Sequence, residues 1–158
     1  NMDKNSNFGI LKIKQKRIPS RINATFIYKN ENKNNLTSDI ALAFKSAEYP
    51  VKRSHWGSFV LSNEINTNLL MRKFSHKNEN CFSEGYLNIY ANDELIKRKK
   101  LKIKNDNYQI LNMKEIAKVK TKEIKTFSWI ATFNKNPEGV DFFSNIFSKK
   151  FMSGDHAF

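Results

Sequence analysis

Asn136-Pro137-Glu138-Gly139-Val140-Asp141-Phe142-Phe143-Ser144-Asn145-Ile146-Phe147-Ser148-Lys149-Lys150-Phe151-Met152-Ser153-Gly154 is the stretch on which the reading of the fold turns. Asn is a favoured N-cap because its side-chain oxygen accepts from an orphan N–H of the first helical turn. Proline suits the first helical position, and a first-turn Glu complements the helix dipole. Val140, Phe143, Ile146, Phe147 and Phe151 recur at three- and four-residue steps, the apolar stripe of a helix lying on a core. Lys149 and Lys150 fall in the last turn and Gly154 follows as the cap, so the pattern predicts a helix over 137–153.

Upstream the signals are those of strands. Phe127 to Phe133 alternates, with Phe127, Trp129, Ala131 and Phe133 on one face as core candidates. Gly85 to Ala91 puts Leu87 and Ile89 on one face and Tyr86, Asn88 and Tyr90 on the other. Asn92-Asp93-Glu94 reads as a turn into Leu95 to Lys104, whose Leu101 and Ile103 point inward. Phe8 to Arg17, Arg21 to Lys29, Ile40 to Lys45 and Trp56 to Leu61 are further strands, and Trp56 reads as a structural aromatic at a strand start. Leu69 to Phe74 is a strand or a helical turn, Tyr108 to Met113 carries a weaker strand signal, and Ala117 to Lys122 is strand or helix. Asn30 to Ser38 and Ser75 to Glu84 are polar loops.

With 158 residues, no repeat and no Pro- or Gly-rich linker, the chain reads as one domain over 8–153, with flexible ends at 1–7 and 154–158. No stretch approaches the roughly 18 apolar residues that cross a bilayer. The lone Cys81 forms no intrachain disulfide, has no cation or His beside it in sequence, and mildly favours a reducing compartment. His55, His76 and His156 have no metal-ligand spacing. No nucleophile-elbow, phosphate-loop or zinc-protease motif occurs, and only 5 Gly are present, so neither catalysis nor a cofactor is expected.

The net charge is +13, with 23 Lys and 5 Arg spread through the whole chain rather than gathered in a tail. Such a field attracts phosphates, nucleic acid or acidic lipid. The densest signal is Lys97-Arg98-Lys99-Lys100-Leu101-Lys102-Ile103-Lys104, six basic residues in eight, with Arg98, Lys100, Lys102 and Lys104 sharing one strand face. Lys12, Lys14 and Lys16, and Lys118, Lys120 and Lys122, repeat the stripe. Tyr86, Asn88 and Tyr90 offer either an aromatic platform or a face covered by a second layer; the second is favoured.

Strands closing through Phe127–Phe133 into a helix over 137–153 resemble the pleckstrin-homology-like superfold, mainly across 85–153. The resemblance implies a bent antiparallel β-barrel or sandwich of about seven strands capped by a C-terminal helix. It also implies that the hairpin carrying Lys97, Arg98, Lys99 and Lys100 binds acidic phospholipid, or that the headgroup site moves to Lys14, Lys16, Arg17 and Arg21. The expected function is therefore a cytoplasmic, peripheral, non-catalytic adaptor docking to phosphoinositide or phosphatidic acid, each cation contributing on the order of 1 kcal/mol. Stable attachment would need a second signal, such as acylation upstream of Asn1. The alternatives are a protein–protein interaction domain with incidental basicity and, ranked lower, a single-stranded nucleic-acid binder stacking bases on Tyr86 and Tyr90.

Overall fold

A computed structural model describes residues 21–28, 38–45, 53–73, 81–105, 107–149 and 151–156; for the first two strands it describes the backbone alone. The described residues are mainly β, with one short helix. The strands are β1 (Arg21–Tyr28), β2 (Ser38–Lys45), β3 (Ser54–Leu61), β4 (Asn66–Lys73), β5 (Phe82–Ala91), β6 (Glu94–Lys104), β7 (Asn107–Asn112), β8 (Lys125–Lys135), β9 (Val140–Phe147) and β10 (Met152–His156). The helix α1 (Met113–Ala117) follows β7, and the Asn112 side chain caps it by accepting from the Lys114 and Glu115 amides.

Two four-stranded antiparallel sheets face each other. The first has the order β3-β8-β5-β6 and the second β10-β9-β4-β7; β1 and β2 form a separate antiparallel pair. Leu87, Ile89, Leu101, Ile103, Phe127, Trp129, Ala131 and Phe133 from the first sheet meet Leu69, Met71, Leu111, Val140 and Phe142 from the second. Strand alternation explains the burial. Every second residue of β8 from Phe127 to Phe133 is buried and the residues between them are exposed. At the β5–β6 hairpin, Asn92 (φ 48°) and Asp93 (φ 65°) occupy the left-handed region, as a two-residue turn requires.

The segment 137–153 is not a helix. Val140–Phe147 is the strand β9, lying between β4 and β10, and Met152–His156 is β10. The capping signals serve a turn instead. Asn136 has φ 46° and Gly139 φ 69°, and the Val140 amide donates to the Pro137 carbonyl at 3.4 Å. Asn, Pro and Gly serve turns as readily as helix ends, so their presence did not discriminate. The apolar stripe misled for a related reason. Phe142, Phe143 and Ser144 are all buried, and a strand covered on both faces loses its two-residue period. Val, Phe, Ile and Asn are also weak helix formers, which favours the extended alternative. Gly154 therefore belongs to β10 rather than to a helix end, and no closed barrel forms among the described residues. With no closing helix, the feature that carried the pleckstrin-homology-like resemblance is gone.

Lys73 holds the chain where it crosses from the first sheet to the second. Its side chain lies on the inner side of β4 and is fully buried. Its Nζ donates to the carbonyls of Asn136 (3.1 Å) and Glu138 (2.7 Å). Ser83 Oγ also donates to the Asn136 carbonyl, and Asn136 Nδ2 donates to the Phe82 carbonyl at 2.9 Å. Burial lowers the Lys73 pKa, partly opposed by the Cys81 thiol and the Glu138 carboxylate.

Two outcomes follow. Lys73→Met keeps the stem and leaves the Glu138 carbonyl without its ammonium donor, so urea unfolding should show a loss of about 1–3 kcal/mol. Because the folded state holds the Lys73 proton less tightly than the unfolded chain, wild-type stability should rise as pH climbs from the lowered pKa toward about 10.4, a rise missing from Lys73→Met. At Gly85, a Cβ would collide with the Thr132 carbonyl oxygen and lie 2.9 Å from Phe133 Cα, both backbone atoms of β8. Gly85→Ala should therefore cost about 3 kcal/mol in the same assay.

Candidate functional site

The outer face of the first sheet is assembled from even-numbered residues of four strands. The register sets Trp56 beside Ile130, Ile130 beside Asn88, and Asn88 beside Arg98. The next row runs Ser54, Thr132, Tyr86 and Lys100. Trp56 is 58% exposed, Tyr86 43% and Ile130 38%, and no second layer covers these three among the described residues. On the outer face of β5, Tyr86 is exposed while Asn88 and Tyr90 are half-buried. Ser58, Thr126 and Ser128 are also exposed and complete a flat hydroxyl-bearing surface around the rings.

Arg98 is held in place. Its Nε donates to Asn88 Oδ1 at 2.8 Å, and its guanidinium carbon lies 5.6 Å from the Tyr86 ring centroid. Neither Arg98 nor Lys100 has an ion-pair partner among the described residues. Lys102 is different: its Nζ lies 3.3 Å from Glu84 Oε1 and 4.7 Å from the Phe82 ring centroid. The hydrogen bond from Lys102, followed by the charge of Lys135, holds the Glu84 carboxyl below its ordinary value.

The basic run is thereby divided. Arg98 and Lys100 share the outer face with Tyr86, whereas Lys97 and Lys99 have the parity of Leu101 and lie on the opposite side, beyond the end of the core. All of 94–100 is exposed, on a strand at the sheet edge. Lys118, Lys120 and Lys122 lie after α1 in a segment with no strand, so they form no stripe. Lys14, Lys16 and Arg17 lie outside the described residues; Arg21 opens β1, which is described by its backbone alone.

His55 is 2% exposed on the inner face, with its ring centroid 5.3 Å from that of Phe142. Cys81 is half-buried, and its carbonyl accepts from the Asn105 amide at 3.0 Å. No group of three or more His, Cys, Asp or Glu that could hold a metal ion occurs among the described residues. None of their helices is long and apolar enough to cross a membrane.

Trp56 stands near the start of a strand, as the sequence suggests, but on its outward side and exposed. The signal was present: Phe59 and Leu61 face inward, and a two-residue period from them turns His55 in and Trp56 out. Ile130 follows by the same parity from Trp129 and Ala131.

Comparison with family models, curated proteins and solved structures gives no match.

The lowered Glu84 pKa sets an acid-side outcome. A carboxyl more acidic in the folded than in the unfolded chain contributes stability above about pH 4.3, lost as pH falls through the folded value. Melting temperature followed from pH 7 to pH 3 should fall less steeply for Glu84→Gln than for wild type. A carboxyl titration by NMR should place Glu84 among the more acidic glutamates.

Proposed function

We propose that this domain is a non-catalytic binding module that receives an anionic, phosphate-bearing partner on the outer face of the β3-β8-β5-β6 sheet. The observation that carries the reading is that Arg98 and Lys100, which form no close ion pair among the described residues, stand with the exposed rings of Tyr86 and Trp56 on one face. Two like charges on one strand face repel, and an anion bound between them relieves that repulsion. Arg98 is already oriented by Asn88 and Tyr86, so less freedom is lost when it engages an anion.

Lysines on an open edge strand have a simpler use: they keep the edge from pairing with another sheet. That role accounts for Lys97 and Lys99, which extend past the core on the other side. It asks for no aromatic rings beside Arg98 and Lys100. Docking on an acidic phospholipid surface stays within the proposal as one source of phosphate, but without the helix-plugged barrel that first suggested it. Partial screening at physiological salt makes any such binding salt-sensitive.

Two charge-matched double variants test the reading. Binding of inorganic polyphosphate and of phosphatidylserine vesicles is measured at low and physiological salt for Arg98→Glu/Lys100→Glu and for Lys97→Glu/Lys99→Glu. The first pair should weaken binding about thirtyfold, at roughly 1 kcal/mol per cation. The second pair should lose no more than about threefold, the share of general charge attraction. Equal losses would mean that the basicity is incidental and the outer face is not the site.

A further inference from the structure

Resting on that binding face, we infer that the phosphate-bearing partner is a single-stranded nucleic acid, with bases stacked on Trp56 and Tyr86 and phosphates over Arg98 and Lys100. A lipid headgroup is met by cations alone, whereas this face also exposes aromatic surface, with Tyr86 43% and Trp56 58% exposed. A single strand needs both. Every base has a ring face to stack, and the face is accessible only when the base is unpaired.

The layout fits. Trp56 on β3 and Asn88 on β5 stand in one row with β8 between them, about 10 Å apart across two strand spacings. An extended strand crosses that gap within a few nucleotides, passing over Ile130, itself 38% exposed. Tyr86 lies one row away beside Lys100, and the Arg98 guanidinium sits against its ring. The cations thus line the β6 side and the rings lie toward β5 and β3. Ser128 and Thr132 on β8 lie between the two ring-bearing strands and Ser54 and Ser58 flank Trp56, all small enough to let a chain pass over them. Asn88 Oδ1 is taken by Arg98, and the other polar side chains between the rings are hydroxyls, which donate and accept alike, so binding is tolerant of sequence.

The protein carries 2 Trp. Trp129 is 1% exposed, so intrinsic fluorescence quenching by a stacked base reports Trp56. The unmodified protein is titrated with dodecathymidylate, with the same strand in duplex with dodecaadenylate, and with phosphatidylserine vesicles. Dodecathymidylate should quench the fluorescence, the duplex should bind more weakly, and the logarithmic salt slope should lie near −2 for about three phosphates. Trp56→Ser and Tyr86→Ser should each weaken binding about tenfold, while Trp56→Phe retains most of it. Both side chains are exposed, and the quench on unmodified protein needs no variant at all. Oligonucleotide binding that ignores both ring changes but still depends on Arg98 and Lys100 would overturn the stacking inference and leave the anion-binding reading standing. Binding of vesicles without binding of dodecathymidylate would do the same. Failure to bind either, or polyphosphate, at low salt would overturn both.

Discussion

The buried ammonium of Lys73 is the contact on which the pairing of the two sheets depends. Where the chain leaves β8 it must cross the roughly 10 Å between sheet layers and enter the middle of the other sheet. Carbonyls on such a crossing have no strand partner, and a buried carbonyl without a donor is costly. Lys73 donates to two of them, at Asn136 and Glu138, from the inner side of β4. Lys73 is also the register partner of Val140, the first residue of β9, so the same side chain marks where that strand begins. Phe142 then comes to lie 5.1 Å from the Trp129 ring centroid and 6.2 Å from that of Phe133, closing the core between the layers.

The outward face follows from that core. Once Phe127, Trp129, Ala131 and Phe133 are buried on β8, Ile130 and Thr132 have to face away. Burial of Leu87 and Ile89 does the same for Tyr86 and Asn88, and burial of Leu101 and Ile103 turns out Arg98 and Lys100. Pairing sets which of these become neighbours. Between Glu84 and Gly85 the β5–β8 register skips Asn134, and the missing side chain of Gly85 lets β5 approach Thr132 and Phe133. That shift places Tyr86 between Thr132 and Lys100. The face of rings and cations proposed for binding is thus the reverse side of a packing solution.

The edge strand carries two tasks with one composition. Along β6, Arg98 and Lys100 join the platform while Lys97 and Lys99 keep an open edge charged. Leu101 and Ile103 anchor the far end of the same strand in the core. The strand therefore buries apolar residues only where the opposite sheet covers it, and elsewhere runs exposed through Leu95 and Ile96 into the basic residues 97–100.

Alternation at 85–91, 95–104 and 127–133 determined from the sequence alone that this chain is β-rich, which residues its central strands bury, and where the Asn92-Asp93 turn falls. It also marked the β6 cations and their shared face, because a two-residue period is a local property of the chain. The fate of 136–154 was not local. Asn-Pro-Glu-Gly can start a helix or make a turn, and a strand buried on both faces has lost the period that would identify it. Tertiary structure decided that segment by offering β9 hydrogen-bond partners on both sides, β4 and β10, and a donor for its entry turn in Lys73. It alone also brought Trp56, Tyr86, Arg98 and Lys100 onto one surface, since sheet order and register join residues that lie far apart along the chain.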